Sequence, residues 1–112
     1  MEQDTHETPV IFRAERSGPF KGGVTAVFPT LPADRLGHEM TCYAHIGQHS
    51  GCSFDWYART RLATPDEYKD LLAELAGIGY RPKVYKRMTS QHRNELRKNL
   101  VRPTIDAALS AK

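Results

Sequence analysis

Thr64-Pro65-Asp66-Glu67 constrains this chain more than any other four residues. Threonine caps helices, proline suits the first turn, glutamate three residues after the cap can return a bond to the cap backbone, and both acids favour the positive helix end. The helix predicted from Pro65 to about Ala76 carries Tyr68, Leu71, Leu72, Leu75 and Ala76 at i, i+3, i+4, i+7 and i+8. Such a stripe has to be buried. Gly77 and Gly79 end the helix as left-handed C-terminal caps do.

A single helix cannot bury its own stripe, and the residues before it read as the sheet that does. Val10 to Arg16 alternates, with Val10, Phe12 and Ala14 on one face and Ile11, Arg13 and Glu15 on the other. Ser17-Gly18-Pro19 and Gly22-Gly23 mark a turn, and Val24 to Phe28 follows as an antiparallel neighbour stopped by Pro29. Thr30 to Glu39, with Pro32, Asp34 and Gly37, reads as a surface loop. Met40–Ile46 and Cys52–Arg59 then alternate around the turn formers Gly47 to Gly51, which predicts a β-hairpin. A symmetric loop sets Ile46 opposite Cys52, Ala44 opposite Phe54 and Cys42 opposite Trp56 on an apolar face. Thr41, Tyr43 and His45 then face Tyr57, Asp55 and Ser53 on a polar, aromatic one. Tyr80 to Met88 reads as a fifth strand, and Pro82 argues for an edge. From Thr89 or Ser90 a helix runs to about Val101, stopped by Pro103. With only Leu96, Leu100 and Val101 to bury, it is expected to dock on a partner or to be partly disordered.

The expected fold class is therefore α+β: a four-stranded antiparallel meander with one helix packed on one face, an edge fifth strand and a basic C-terminal helix. Residues 1–8 form a loose acidic N-terminus, 9–88 a single α+β domain and 89–112 a basic helical arm. With 112 residues there is room for one modest core. No apolar run approaches the roughly 20 residues that cross a bilayer, so no membrane partner is expected. Met-Glu-Gln-Asp-Thr-His-Glu at the start is neither basic nor apolar, which favours a cytoplasmic location and reduced thiols. Cys42 and Cys52 occupy non-partner positions in the predicted hairpin, so a disulfide would require a different one.

Charge is distributed unevenly. Residues 1–80 carry seven Lys/Arg against eleven Asp/Glu, whereas 81–112 carry nine against two, within an overall +3. A basic end of this kind suggests a polyanion or an acidic partner. Lys86, Arg87, Arg93, Arg97 and Lys98 are the candidate phosphate contacts, with Arg93 and Arg97 sharing a helical face at i, i+4. Tyr43, His45, His49, Tyr57 and Arg59 form the candidate patch that stacks bases or anchors a protein hot spot. The plainer reading makes the arm a solvated basic face and lets His45 and His49 bond locally.

Two chemical readings stand beside binding. His38, Cys42, His45, His49 and Cys52 are potential ligands within 15 residues, and a zinc ion held by His45, His49 and Cys52 is conceivable. Cys42 and His45 point to opposite strand faces, however, and no CxxC knuckle is present, so the expected metal and cofactor complement is none. Alternatively, His45 and His49 could serve as general acid and base of a small nuclease or hydrolase. No G-x-S-x-G, phosphate loop, dinucleotide fingerprint or H-E-x-x-H occurs, which favours a non-enzymatic protein with no catalytic residues.

Phe12-Arg13, Ala26-Val27-Phe28-Pro29, Tyr43-Ala44-His45-Ile46-Gly47-Gln48-His49-Ser50 and the helix from Thr64 to Gly79-Tyr80 together resemble a group of small bacterial proteins typical of phages, plasmids and other mobile elements. The likeness covers about residues 10 to 87, with His45-x-Gly47-Gln48-His49 as its core. It implies an accessory role in mobile DNA and supplies no catalytic residues. The expectation is thus a non-enzymatic protein that contacts nucleic acid or a host nucleoprotein, for example as an inhibitor of a host defence system such as CRISPR. A protein-only interaction subunit is the third alternative. The oligomeric state stays open.

Overall fold

The computed structural model describes residues 7–44 and 48–110. Four antiparallel strands follow one another in a meander: β1 (Thr8–Ala14), β2 (Val24–Pro32), β3 (Glu39–Ala44) and β4 (Gln48–Ser53). Two short strands share the free edge of β1. β5 (Arg61–Leu62) runs antiparallel to Arg13 and Ala14, and β6 (Pro82–Val84) runs parallel to Thr8, Pro9 and Val10. Three helices complete the α+β architecture: α1 (Phe54–Arg59), α2 (Pro65–Gly77) and α3 (Ser90–Ser110).

The period-two alternation sorts the sheet into two covered faces. On the first, Val10, Phe12, Ala14, Ala26, Phe28 and Tyr43 are buried with Leu71 and Leu75 of α2. Tyr68 stacks on Phe12 with ring centroids 4.3 Å apart, and Tyr80 stacks on Phe28 at 5.0 Å. Of the predicted α2 stripe, Leu71 and Leu75 are buried and Tyr68 and Leu72 half-buried, while Ala76 is exposed. Its start is a full capping box: Thr64 accepts from Glu67 N–H, and the Glu67 carboxylate accepts from Thr64 N–H at 2.9 Å. Arg61 braces the same carboxylate at 2.7 Å, and its hydrogen bond, followed by the one from Thr64 N–H, lowers the Glu67 carboxyl to about 2. Gly79, at φ +113, turns the chain away from the helix end.

On the second face Val27, Met40, Cys42, Cys52 and Leu96 are buried, with Phe54, Trp56, Tyr57 and Met88 packed around them. α3 is therefore docked on its own sheet. His92 and Leu96 lie one turn apart on its inner side, and Asn99 donates from Nδ2 to Thr30 O at 2.6 Å. Removal of everything after Met88 would take Leu96 out of this cluster and uncover the β2 side of it at Val27.

Several local expectations are corrected. The hairpin pairs Cys42 with Ser50, Tyr43 with His49 and Met40 with Cys52, so the register differs from the symmetric one although face parity is preserved. Residues Phe54 to Arg59 are helical, not strand. Ser53 Oγ accepts from Trp56 N–H at 3.0 Å, Asp55 sits in the first turn and Arg59 in the last, and these local signals outweigh the alternation. Pro29 does not stop β2, because a register shift between Phe28 and Pro32 places it where no ladder donor is needed. Pro103 does not stop α3, which continues to Ser110. β6 is shorter than the predicted fifth strand but does occupy an edge.

Candidate functional site

The predicted aromatic patch does not form one surface. Tyr43 and His49 point to the α2 face, whereas Tyr57 and Arg59 belong to α1 on the opposite one. His45, with Ile46 and Gly47, lies outside the described residues, and so do the His45/His49 acid–base pair and the His45/His49/Cys52 zinc set as wholes. His49 and Cys52 in any case occupy opposite faces of β4, which does not favour that set.

At the α2 end, Tyr43 is buried and its hydroxyl donates to the Glu74 carboxylate. The His49 ring meets Tyr43 edge-on at 4.8 Å, and its Nε2 is 2.9 Å from Tyr80 Oη. Sequence reasoning found Tyr43 and His49 but missed Glu74 and Tyr80, which reach them only through the packing of α2. The group is an exposed imidazole seated on two phenols, and among the described residues no carboxylate bonds it.

Tyr57 is used structurally. Arg13 lies over its ring at 4.4 Å and donates to Tyr57 O at 3.3 Å and Thr60 O at 2.6 Å, so the guanidinium holds the carbonyl end of α1 against β1. Arg59 is exposed and paired with Asp55 at 3.5 Å. Tyr57 is half-buried beneath the Arg13 contact, and Arg59 lies on the exposed side of α1.

The basic residues fare differently. Lys86 and Arg87, before α3, and Arg93, Arg97 and Lys98, on it, are all exposed. Lys98 has Glu95 4.0 Å away, but among the described residues no carboxylate pairs with Lys86, Arg87, Arg93 or Arg97. Arg93 and Arg97 flank a groove of about 290 Å³ floored by Leu36, Phe54, Leu96 and Leu100, with the Arg93 guanidinium 6.0 Å from the Phe54 ring centre. The predicted i, i+4 pair is therefore a pair in space. α3 is anchored at its start by a reciprocal cap: Thr89 N–H donates to His92 Nδ1 and His92 N–H donates to Thr89 Oγ1, both at 3.1 Å. His92 is buried, which lowers its pKa, and an accepting Nδ1 must be unprotonated.

A second cleft, of about 360 Å³, opens on the same face between α1 and the hairpin, lined by Glu15, Glu39, Cys42, Ser50, Cys52 and Trp56 among others. Trp56 Nε1 donates to Glu15 at 2.9 Å and fixes one wall. Both cysteines are free and buried. They are not opposite one another, but the register makes them diagonal neighbours on one face. A hydrogen bond from Cys52, with further donors from Ser50, lowers the Cys42 thiol to about 6 despite burial. The same bond, with burial, pushes the Cys52 thiol up.

No family model, curated protein or solved structure matches the chain. Among the described residues, no helix is long and apolar enough to cross a membrane.

Proposed function

We propose that this is a non-enzymatic binding protein whose target is nucleic acid or a nucleoprotein, and that it acts as an accessory factor of a mobile genetic element, for instance against a host defence system such as CRISPR. The observation that carries the nucleic-acid part is the row of exposed cations, Lys86, Arg87, Arg93 and Arg97, that have no acidic partner among the described residues and are carried on or beside a docked, capped helix. Unneutralised cations on a fixed scaffold attract phosphates and release counterions on binding. The His49/Tyr80 corner supplies a smaller stacking surface on the other side of the sheet. The mobile-element setting rests on the sequence resemblance over residues 10 to 87.

Fluorescence anisotropy with short single- and double-stranded DNA and RNA at several salt concentrations tests the reading. Binding should weaken steeply with salt, and Arg93→Gln with Arg97→Gln should reduce the log–log slope by about 0.7–0.9 for each phosphate that the variant leaves unneutralised. Binding that is insensitive to salt, or unaffected by both substitutions, would shift the reading to a protein-only partner. His49→Ala should weaken binding without touching the salt slope, and no hydrolysis of the probe is expected in any variant.

A further inference from the structure

Sulfur is concentrated in one place in this molecule. The chain has two cysteines and three methionines, and every one of those sulfurs that falls among the described residues lies in the core under α1 and α3: Cys42, Cys52 and Met40 are buried there, and Met88 packs against them. The hairpin register brings three of them together. Met40 is directly opposite Cys52, and Cys42 is two residues from Met40 on the same strand, so all three side chains leave the sheet on one face as immediate neighbours. Cys42 Sγ lies 3.3 Å from Ser50 Oγ, and both cysteines reach the cleft beside Trp56, which gives the group an opening to solvent.

Three uses of such a group can be separated by size and donor chemistry. A disulfide requires Cα atoms about 4.4–6.8 Å apart, whereas diagonal positions across an antiparallel pair are typically about 7–8 Å apart. Oxidation would thus have to displace the hairpin. A bridging ion fits the wider gap, because two metal–thiolate bonds of about 2.3 Å each lie between the sulfurs. Zinc would need four donors, and among the described residues no third His, Cys, Asp or Glu joins the cysteines. Two thiolates with a thioether beside them are instead the donor set of a soft monovalent ion, which accepts low coordination and prefers sulfur to oxygen.

We propose that Cys42, Cys52 and Met40 form a Cu(I) site at the floor of the cleft between α1 and the β3–β4 hairpin. The two thiolates hold the ion and Met40 supplies a weaker third ligand from the core behind them, where Val27 and Leu96 pack, while Trp56 lines the cleft on the solvent side. Binding forms two Cu–S bonds and releases the thiol protons that the pair still carries to solvent, with no change in oxidation state.

The test is an anaerobic titration of the reduced, full-length protein with Cu(I) against a chromogenic Cu(I) chelator, with Zn(II) titrated in parallel against a zinc indicator. One equivalent of Cu(I) should be retained and Zn(II) should not. Cys42→Ser and Cys52→Ser should each abolish retention. Met40→Leu, which preserves the core volume, should weaken it roughly tenfold or more while leaving the metal-free unfolding temperature nearly unchanged. X-ray absorption of the wild-type complex, which depends on no variant, should show sulfur scatterers alone. Failure of the wild type to retain Cu(I), equal retention by the Cys42→Ser/Cys52→Ser double variant, or a nitrogen-dominated shell would each overturn the proposal. Tighter binding of Zn(II) than of Cu(I) would do so as well.

Discussion

The two faces of the sheet are built from different materials. The α2 face is almost wholly hydrocarbon and aromatic: Phe12 under Tyr68, Phe28 under Tyr80, Leu71 and Leu75 closing over Val10 and Ala26. The α1/α3 face mixes apolar packing with a buried histidine, two thiols, an Asn99 amide bonded to Thr30 O and an arginine threaded under a tyrosine. Both clefts open on this second face. Hydrocarbon packing accumulates stability without demanding direction, while polar groups cost stability unless every partner is in place. The comparison teaches a division of work: one face holds the fold together, and the other carries the groups with chemistry to offer.

Core truncation is the harshest test of that division. Leu75→Ala should cost about 3–4 kcal/mol in urea unfolding, whereas Leu96→Ala, on the inner side of α3, should cost about 2 kcal/mol. Equal costs, or the reverse order, would break the contrast. The caps give a finer comparison. Thr64→Ala should destabilise by about 1 kcal/mol, and Thr89→Ala by a smaller amount because His92 retains its packing against Tyr85.

Acid should separate the same two caps. The Glu67 carboxyl is lowered to about 2 by Arg61 and Thr64, so its contribution is complete above the ordinary glutamate range and is lost only as pH falls through about 2. His92 is a base whose pKa is lowered by burial. Its contribution is therefore complete above the ordinary histidine value of about 6.5 and declines as pH falls below it, when the unfolded chain takes up a proton that Nδ1 cannot. Hydrogen exchange at pH 5 should show the first turn of α3 opening while α2 stays protected, and His92→Gln should remove that difference. The smallest effect is spectroscopic. Thiolate absorbance should rise with a midpoint near pH 6 for one cysteine only, and Ser50→Ala should move that midpoint upward.

How much of this was legible in the sequence follows the same line between the faces. The α2 helix, its capping box, the meander and the edge position of the Pro82 strand could be read from local patterns, because each is specified by residues close in the chain. The α1 helix was hidden by its own alternation from Cys52 to Arg59; the signal against a strand was Ser53 three residues before Trp56, with Asp55 and Arg59 placed for a helix dipole. The hairpin register was misread because Gly47 to Gly51 looks like a loop, yet Gly51 lies within β4 opposite Thr41. A Cβ at Gly51 would have to push the flexible Glu39 carboxylate aside and crowd Ala33, a closeness that no local pattern reveals. The Tyr43–Glu74 and His49–Tyr80 bonds each span 31 residues, and such pairings arise only after α2 has docked. Of the basic residues, spacing alone foretold the Arg93/Arg97 pair.

The parallel pairing of β6 with β1 has a consequence for how the chain is made. Thr8 N–H bonds to Arg81 O at 2.8 Å and Tyr85 N–H to Val10 O at 2.9 Å, so this edge of β1 is completed only after α2 and β6 have left the ribosome. Until then the Thr8–Val10 part of this edge of β1 remains open, since β5 covers only Arg13 and Ala14. That edge is a template for unwanted strand addition during translation. Loop closure over so many residues also places the final step of folding among the slower ones for a chain of this size.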